Sequence, residues 1–307
     1  MILTVTLNAA LDVTYEVDDL VPSSTHRVTT ARARAGGKGI NIASVLHGLG
    51  IPVIATGLVG GPTGDLIVAD LEARGIEHDF VAVRGDSRRT VNVVSAATGD
   101  STIFNEAGPP VGDDEWSAAL ATIGSLVESH GATVVALSGS LPRGLADTAY
   151  ARLVEVVRDR GALTVVDAGG PVLVAAAAAH PDVVKPNLAE LEAATGCTDI
   201  PAGAAALRAL GARDVVVSAG AEGATVVTAD GCLVSAHPGD RLHGNPTGAG
   251  DAMVAAICAG LANDDPWTRI LATAVAWSAA AVLDPIAGEL DADEVARRRS
   301  AVTVESR

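Results

Sequence analysis

A chain of 307 residues, 49% of them hydrophobic, buries enough apolar surface for one large domain or two modest ones, which excludes small stapled scaffolds and intrinsic disorder. Acidic side chains outnumber Lys plus Arg by 37 to 21, and the net charge of −16 repels polyanions. With only 2% aromatic residues there is no base-stacking platform either, so no nucleic-acid partner is expected.

In chain order, Ile2–Leu7 reads as a buried opening strand, and its lack of preceding basic residues is unlike a secretory leader. Asp12, Thr14 and Glu16 alternate with Val13, Tyr15 and Val17, the pattern of a half-exposed antiparallel strand. Gly39–Leu49 has helical spacing and stops at Gly50; Val53–Val59 is strand-like, and Thr63–Arg74 is helical with Gly75 behind it. Thr90–Ala96 and Ser101–Phe104 flank the turn signal Thr98-Gly99-Asp100 and predict a hairpin in a small sheet apart from the main one. Asp113–His130 reads as a helix with Asp113 as N-cap and Gly131 just past its end.

The apolar strands Thr133–Leu137, Leu163–Asp167 and Val183–Lys185 are each followed by a helical segment, the rhythm of a parallel sheet covered on both faces. Asp214–Ser218, Gly223–Thr228 and Gly231–Ser235 suggest a strand and then a hairpin, and Gly248–Leu261 and Trp267–Leu283 read as Ala-rich helices. The longest apolar run, Leu271–Leu283, falls short of the ~20 residues that span a bilayer, so a soluble, cytoplasmic protein without membrane contact is expected. Cys197, Cys232 and Cys258 form no close pair and read as buried small apolar residues. With no low-complexity linker and no internal repeat, the expectation is one α/β domain over 1–307, with lid segments near 12–34 and 84–106.

Two loops carry candidate chemistry. Ala35-Gly36-Gly37-Lys38-Gly39-Ile40-Asn41 opens a helix, bringing bare backbone N–H groups, a helix dipole and one ammonium to a point that suits an anion. It lacks the spacing of a Walker A loop, and a glycine-rich helix entry pressed against a strand would look the same. Asn245-Pro246-Thr247-Gly248-Ala249-Gly250-Asp251 opens a second helix, where three successive amides could cradle a transferring phosphoryl group while Asp251 accepts a proton from an attacking hydroxyl. An acidic residue also favours a first helical turn for dipole reasons alone.

The pair of loops, with Thr6-Leu7-Asn8-Ala9-Ala10-Leu11-Asp12 before them, resembles the PfkB (ribokinase-like) carbohydrate kinase family, in its branch of 1-phosphofructokinase and tagatose-6-phosphate kinase. Thr102 to Pro109, Leu137-Ser138-Gly139-Ser140-Leu141-Pro142, Lys185-Pro186-Asn187-Leu188-Ala189-Glu190 and Ser218 to Gly223 extend the likeness over nearly the whole chain. The resemblance implies a ribokinase-like fold, a mostly parallel central sheet flanked by helices with a small β-sheet lid. It implies that Asp12, Gly36, Gly37, Asn41 and Ser138 line a sugar pocket. Lys38 would then meet a phosphate already on the substrate, with Arg88 or Arg89 as a second cation and Arg27 as a third. Lys185, Asn187, Ser218, Gly220 and Gly223 would bind ATP, and Glu190 would hold Mg²⁺ through water. Gly248, Ala249 and Gly250 would meet the charge of the phosphoryl group, with Asp251 as general base.

The sequence departs from the family pattern at Ala9, where proline is usual, at Asp167-Ala168-Gly169-Gly170 in place of Asp-x-Ser-Gly, and at Ile103, where some 6-phosphofructokinase members carry a cation. The expected reaction is ATP-dependent phosphorylation of fructose 1-phosphate to fructose 1,6-bisphosphate. The alternatives are a tagatose-6-phosphate kinase, a related sugar or nucleoside kinase, and a non-catalytic sugar-phosphate sensor. A half-exposed lid sheet invites pairing with a second copy into a homodimer.

Overall fold

Alternation along Ile2–Thr6 sends Ile2 to one apolar core and Leu3 and Val5 to another, so this strand, β1, is buried on both faces. The computed structural model describes residues 1–28, 30–240, 242, 244–284 and 286–307. After β1 the chain leaves the main sheet for β2 (Ala10–Val17) and β3 (Thr30–Gly36), and returns through α1 (Lys38–Gly48), β4 (Val53–Gly60), α2 (Gly61–Ala73) and β5 (His78–Val83). A hairpin of β6 (Arg88–Ser95) and β7 (Ser101–Asn105) follows, then α3 (Asp113–Ser129), β8 (Val134–Ser138), α4 (Ala149–Arg158), β9 (Leu163–Asp167), α5 (Gly170–Ala177) and β10 (Val183–Val184). The last third holds α6 (Leu188–Thr195), α7 (Ile200–Leu210), β11 (Asp214–Ser218), β12 (Ala224–Val227), β13 (Leu233–His237), α8 (Ala249–Ala262), α9 (Trp267–Leu283), α10 (Ala292–Ala301) and β14 (Thr303–Ser306).

The main sheet has ten strands in the order β14-β13-β12-β11-β10-β9-β8-β1-β4-β5. From β11 to β5 all neighbours are parallel, and β12, β13 and β14 close one edge as antiparallel strands. Helices α1, α8 and α9 cover one face and α3, α4, α5 and α7 the other. The doubly wound α/β architecture is as the sequence predicts. Strand order turns at β1, with β4 on one side and β8 on the other, and the carboxyl ends at such a reversal form the ligand crevice of open α/β sheets. Asn8 Nδ2 bridges that crevice to Ser140 Oγ at 3.1 Å.

The small sheet, in the order β3-β2-β6-β7, forms the lid, and its register differs from expectation. β2 is antiparallel to β3 but parallel to β6, because the chain passes through α1, β4, α2 and β5 between them and re-enters the lid from the same end. Burial of β2 does not alternate, since both lid faces are partly covered. β3, β5, α10 and β14 escape a reading by apolar periodicity: β3 alternates Ala with Arg, and half of the side chains of α10 are charged. The N-cap of α3 is Gly112, one residue before the expected Asp113, because Glu115 reaches back to accept from the Gly112 amide at 2.8 Å. Of the three cysteines only Cys258 is buried, while Cys197 and Cys232 are half-buried. No helix among the described residues is long and apolar enough to cross a membrane.

Candidate active site

The crevice is built from the ends of consecutive parallel strands together with the N-termini of α1 and α8. Gly37 caps α1 at φ +106°, without a side-chain hydrogen bond, so the first amides of α1 face the crevice with no acceptor inside the helix. Gly36 is needed for clearance, because a methyl there would collide with the carboxylate of Asp12 on β2. Asp12 belongs to the lid sheet, where burial raises its pKa against the opposing effects of a Thr90 hydrogen bond and the Arg88 guanidinium.

Adjacent residues on a strand face opposite ways, and this separates the two candidate arginines. Arg88 turns inward, donating from Nε to the Asn8 carbonyl at 3.1 Å and from Nη1 to Thr90 Oγ1 at 3.4 Å, beside Asp12. Arg89 is exposed on the other face and pairs with Glu106 at 3.4 Å. Arg27 lies exposed on the connection between β2 and β3. Ser138 is fully buried at the end of β8 and offers no surface to a ligand; the exposed hydroxyl at this strand end is that of Ser140.

At the end of β9 stands a residue that the sequence reading passed over as a mere departure from the family pattern. Asp167 is 1% exposed and holds two ammonium groups, Lys38 Nζ at 3.2 Å and Lys185 Nζ at 3.3 Å. Burial alone would raise its pKa, but the two lysines overcome that and hold the carboxyl below the usual range. Burial likewise pulls Lys38 down, and the carboxylates of Asp167, Asp251 and Glu190 more than restore it. The available signal was an aspartate closing the apolar strand Leu163–Asp167, at the sheet edge where ligands bind.

Asp251 lies in the first turn of α8 and accepts from Asn41 Nδ2 of α1 at 2.8 Å, so the two glycine loops, far apart in sequence, meet in one hydrogen bond. Burial, together with the negative charge of Asp167, raises the Asp251 pKa to about 7, against the pull of Asn41 and both lysines. A carboxyl that titrates near neutrality is matched to general-base work. Gly248, at φ +86°, is the αL residue that turns the chain into α8; of the three expected amides, all half-buried, that of Ala249 already donates to the Pro246 carbonyl at 3.2 Å, so those of Gly248 and Gly250 are the candidates for an anion. Lys185 Nζ lies 3.9 Å from where a methyl on Gly250 would stand, so an ammonium faces those amides.

Farther along the edge, Asn187 and Glu190 form a reciprocal capping box on α6: Asn187 Oδ1 accepts from the Glu190 amide, and Glu190 Oε2 from the Asn187 amide, both at 2.9 Å. That leaves Glu190 Oε1 turned toward Gly169, with its charge felt at Lys38. Ser218 is half-buried at the end of β11 and bridges in parallel to Asn187, while Gly220 is exposed at a 3₁₀ turn. Gly223 is buried and serves packing, since a methyl there would strike the Ala236 carbonyl. Asn8, Gly139, Asp167, Lys185 and Ser218 thus stand at the ends of β1, β8, β9, β10 and β11, a row leading from the lid to the far rim.

Similarity to known proteins agrees with this geometry. The model of the pfkB family carbohydrate kinases matches residues 5–293. The chain is 40% identical over 271 residues to a 1-phosphofructokinase of Xanthomonas campestris pv. campestris, covering 85% of this chain and 84% of that one. It is 37% identical to a 1-phosphofructokinase of Rhodobacter capsulatus, over 92% of each chain. The crystal structure of phosphofructokinase-2 from Escherichia coli in complex with potassium superimposes with a TM-score of 0.91 at 28% identity, covering 97% of this chain and 98% of that one. The chain therefore belongs to the pfkB family of carbohydrate kinases, and within it is a 1-phosphofructokinase-like sugar-phosphate kinase.

Proposed function

We propose that this protein transfers the γ-phosphoryl group of ATP to the free primary hydroxyl of fructose 1-phosphate, giving fructose 1,6-bisphosphate and ADP. The observation that carries the reading is the Asn41–Asp251 hydrogen bond, which sets a near-neutral carboxyl between the sugar loop and the phosphoryl loop. The choice of sugar phosphate rests on the likeness to curated 1-phosphofructokinases.

In this mechanism Asp12 accepts from the sugar hydroxyls, and the backbone at Gly36 and Gly37, just ahead of α1, closes round the acceptor. Arg88, the cation beside Asp12, takes the phosphate that the substrate already carries. Lys38 reaches from the same pocket toward Asp167, where its ammonium serves the acceptor's phosphate or the group in flight. Asp251 takes the proton as the hydroxyl oxygen bonds to the γ-phosphorus and the bond to the ADP oxygen breaks. Charge on the equatorial oxygens of the loose transition state meets the amides of Gly248 and Gly250 and the ammonium of Lys185. ATP lies along the ends of β10 and β11, with Asn187, Ser218 and Gly220 on its path.

Magnesium fits this donor set, because the ion keeps most of its water and Glu190 retains one carboxylate oxygen outside the capping box. When bound it would neutralise phosphate charge, with Glu190 holding it through water. The lid closes over the acceptor and keeps water from the γ-phosphoryl group. Its edge strand β7 exposes Ile103 and Phe104, and two copies pair through this edge.

A coupled assay of ADP release with fructose 1-phosphate, tagatose 6-phosphate and fructose 6-phosphate tests the reading. Fructose 1-phosphate is expected to give the highest kcat/KM. Preference for either of the others overturns the substrate assignment, and no release with any of them overturns catalysis in favour of a sensor.

A further inference from the structure

The strand that carries the base of the lid is joined to the far side of the crevice by one ion pair. Arg34, in β3, stands opposite Asp12 in the β2–β3 register, and its Nη1 lies 2.6 Å from Glu289 Oε1. Glu289 belongs to the turn that follows α9, and this turn is seated on both glycine loops. A methyl on Gly248 would stand 3.0 Å from Ala287, and a methyl on Gly288 would stand 3.2 Å from Asn41 Cα and from Ser44 Cβ. A continuous set of contacts therefore runs from the lid strand through Arg34 and Glu289 to Ala287 and Gly288, and from them to the cap of α8 and to the residue that holds Asp251.

The surroundings show what Glu289 does for this set. Arg74, which caps the end of α2, lies close enough for its guanidinium and that of Arg34 to repel, and Arg74 is itself held by Asp70, which also accepts from the Ala35 amide at 3.1 Å. Without the Glu289 carboxylate, Arg34 would face another cation at that point. A cavity of 480 Å³ opens beside the pair, lined among others by Arg34, Arg74, His47 and Glu289, so close-packed side chains do not buttress the two segments there. A partly exposed pair of this kind contributes little to folding, so its removal leaves the fold in place and alters position.

We propose that Arg34 and Glu289 are positioning residues that couple the base of the lid to the phosphoryl-binding amides, so that a nucleotide seated at Gly248–Gly250 steadies β3, the strand paired with the one that presents Asp12. The inference rests on the assignment of those amides to the transferring phosphoryl group. It does not depend on which sugar phosphate is accepted. Coupling of this kind is reciprocal, so it is readable from the nucleotide side alone.

The test is amide hydrogen exchange of the full chain with and without a saturating non-hydrolysable ATP analogue, in wild type, Arg34→Gln, Glu289→Gln and Arg34→Lys. In wild type the analogue is expected to slow exchange both at 249–252 and at 31–36, the latter by about fivefold or more. In Arg34→Gln and Glu289→Gln the analogue still slows 249–252, but slowing at 31–36 falls below about twofold, and Arg34→Lys restores most of it. Slowing at 31–36 that is the same in the glutamine variants as in wild type, or absent from wild type, overturns the coupling alone. No slowing at 249–252 in wild type sinks the assignment of the amides, and the coupling with it.

Discussion

At the residue scale the account turns on the protonation of Asp251. A general base must be ionised, so turnover is expected to fall about tenfold per pH unit below its pKa of about 7 and to level off above it. The same shift bears on stability. The folded-state pKa lies above the unfolded 3.8, so the folded protein binds this proton more tightly than the unfolded chain does. The stabilisation is complete below 3.8 and is lost as pH rises through about 7. Asp251→Asn should therefore melt at a higher temperature than wild type at pH 8, with the gap narrowing as pH falls below about 7 and closing only as it approaches 3.8. A variant that melts lower than wild type at pH 8 would show that the buried carboxylate is compensated by contacts beyond Asn41 and the two lysines.

Gly36 provides a second check at this scale, because the space its missing side chain leaves is taken by the Asp12 carboxylate. Gly36→Ala should raise KM for the sugar phosphate about tenfold or more while KM for ATP changes little. An unchanged sugar KM would remove Asp12 from the acceptor site. Residue by residue, the two glycine loops were legible in the sequence because helix entries onto anions need small residues at fixed spacing. Asp167 was not, because a lone aspartate gains its meaning only when β9 is placed between the loops that carry Lys38 and Lys185. The choice between Arg88 and Arg89 was equally closed to the sequence, since it depends on which face of β6 turns toward β1.

At the scale of elements, the question is what the capping box on α6 is for. Glutamine keeps the capping geometry of Glu190 and removes only its charge. Glu190→Gln is expected to leave the melting temperature nearly unchanged while lowering turnover about tenfold or more and raising the Mg²⁺ concentration needed for half-maximal rate. Unaltered metal dependence would confine Glu190 to capping. The alternating βα segments were readable because buried parallel strands are short unbroken apolar runs with glycine or capping residues at their ends. β3 and α10 were not, because their sequences lack that period and their places come from partners distant in the chain: β2 for the one, α9 for the other.

At the scale of the molecule, the proposed assembly runs through the lid edge. Phe104 is 57% exposed on β7, beside Ile103 at 45%. Phe104→Glu, which places like charges across a pairing of two lids, should shift the protein from dimer to monomer in sedimentation at micromolar concentration. A wild type that sediments as a monomer contradicts the pairing. The parallel relation of β2 to β6 belongs to this scale as well: it follows from the path of the chain between them, which no local pattern in either strand encodes.

The central claim is that two loops remote in sequence form one centre for phosphoryl transfer to a sugar phosphate. Its most direct test is the rate of ADP formation from ATP with and without fructose 1-phosphate, in wild type and in Asp251→Asn, with nucleotide affinity measured in parallel. The account predicts ADP formation that requires the sugar phosphate and falls at least ~10²-fold in the variant, with ATP binding nearly intact. ADP formation that is indifferent to the sugar phosphate, or near-normal turnover in Asp251→Asn, would contradict it.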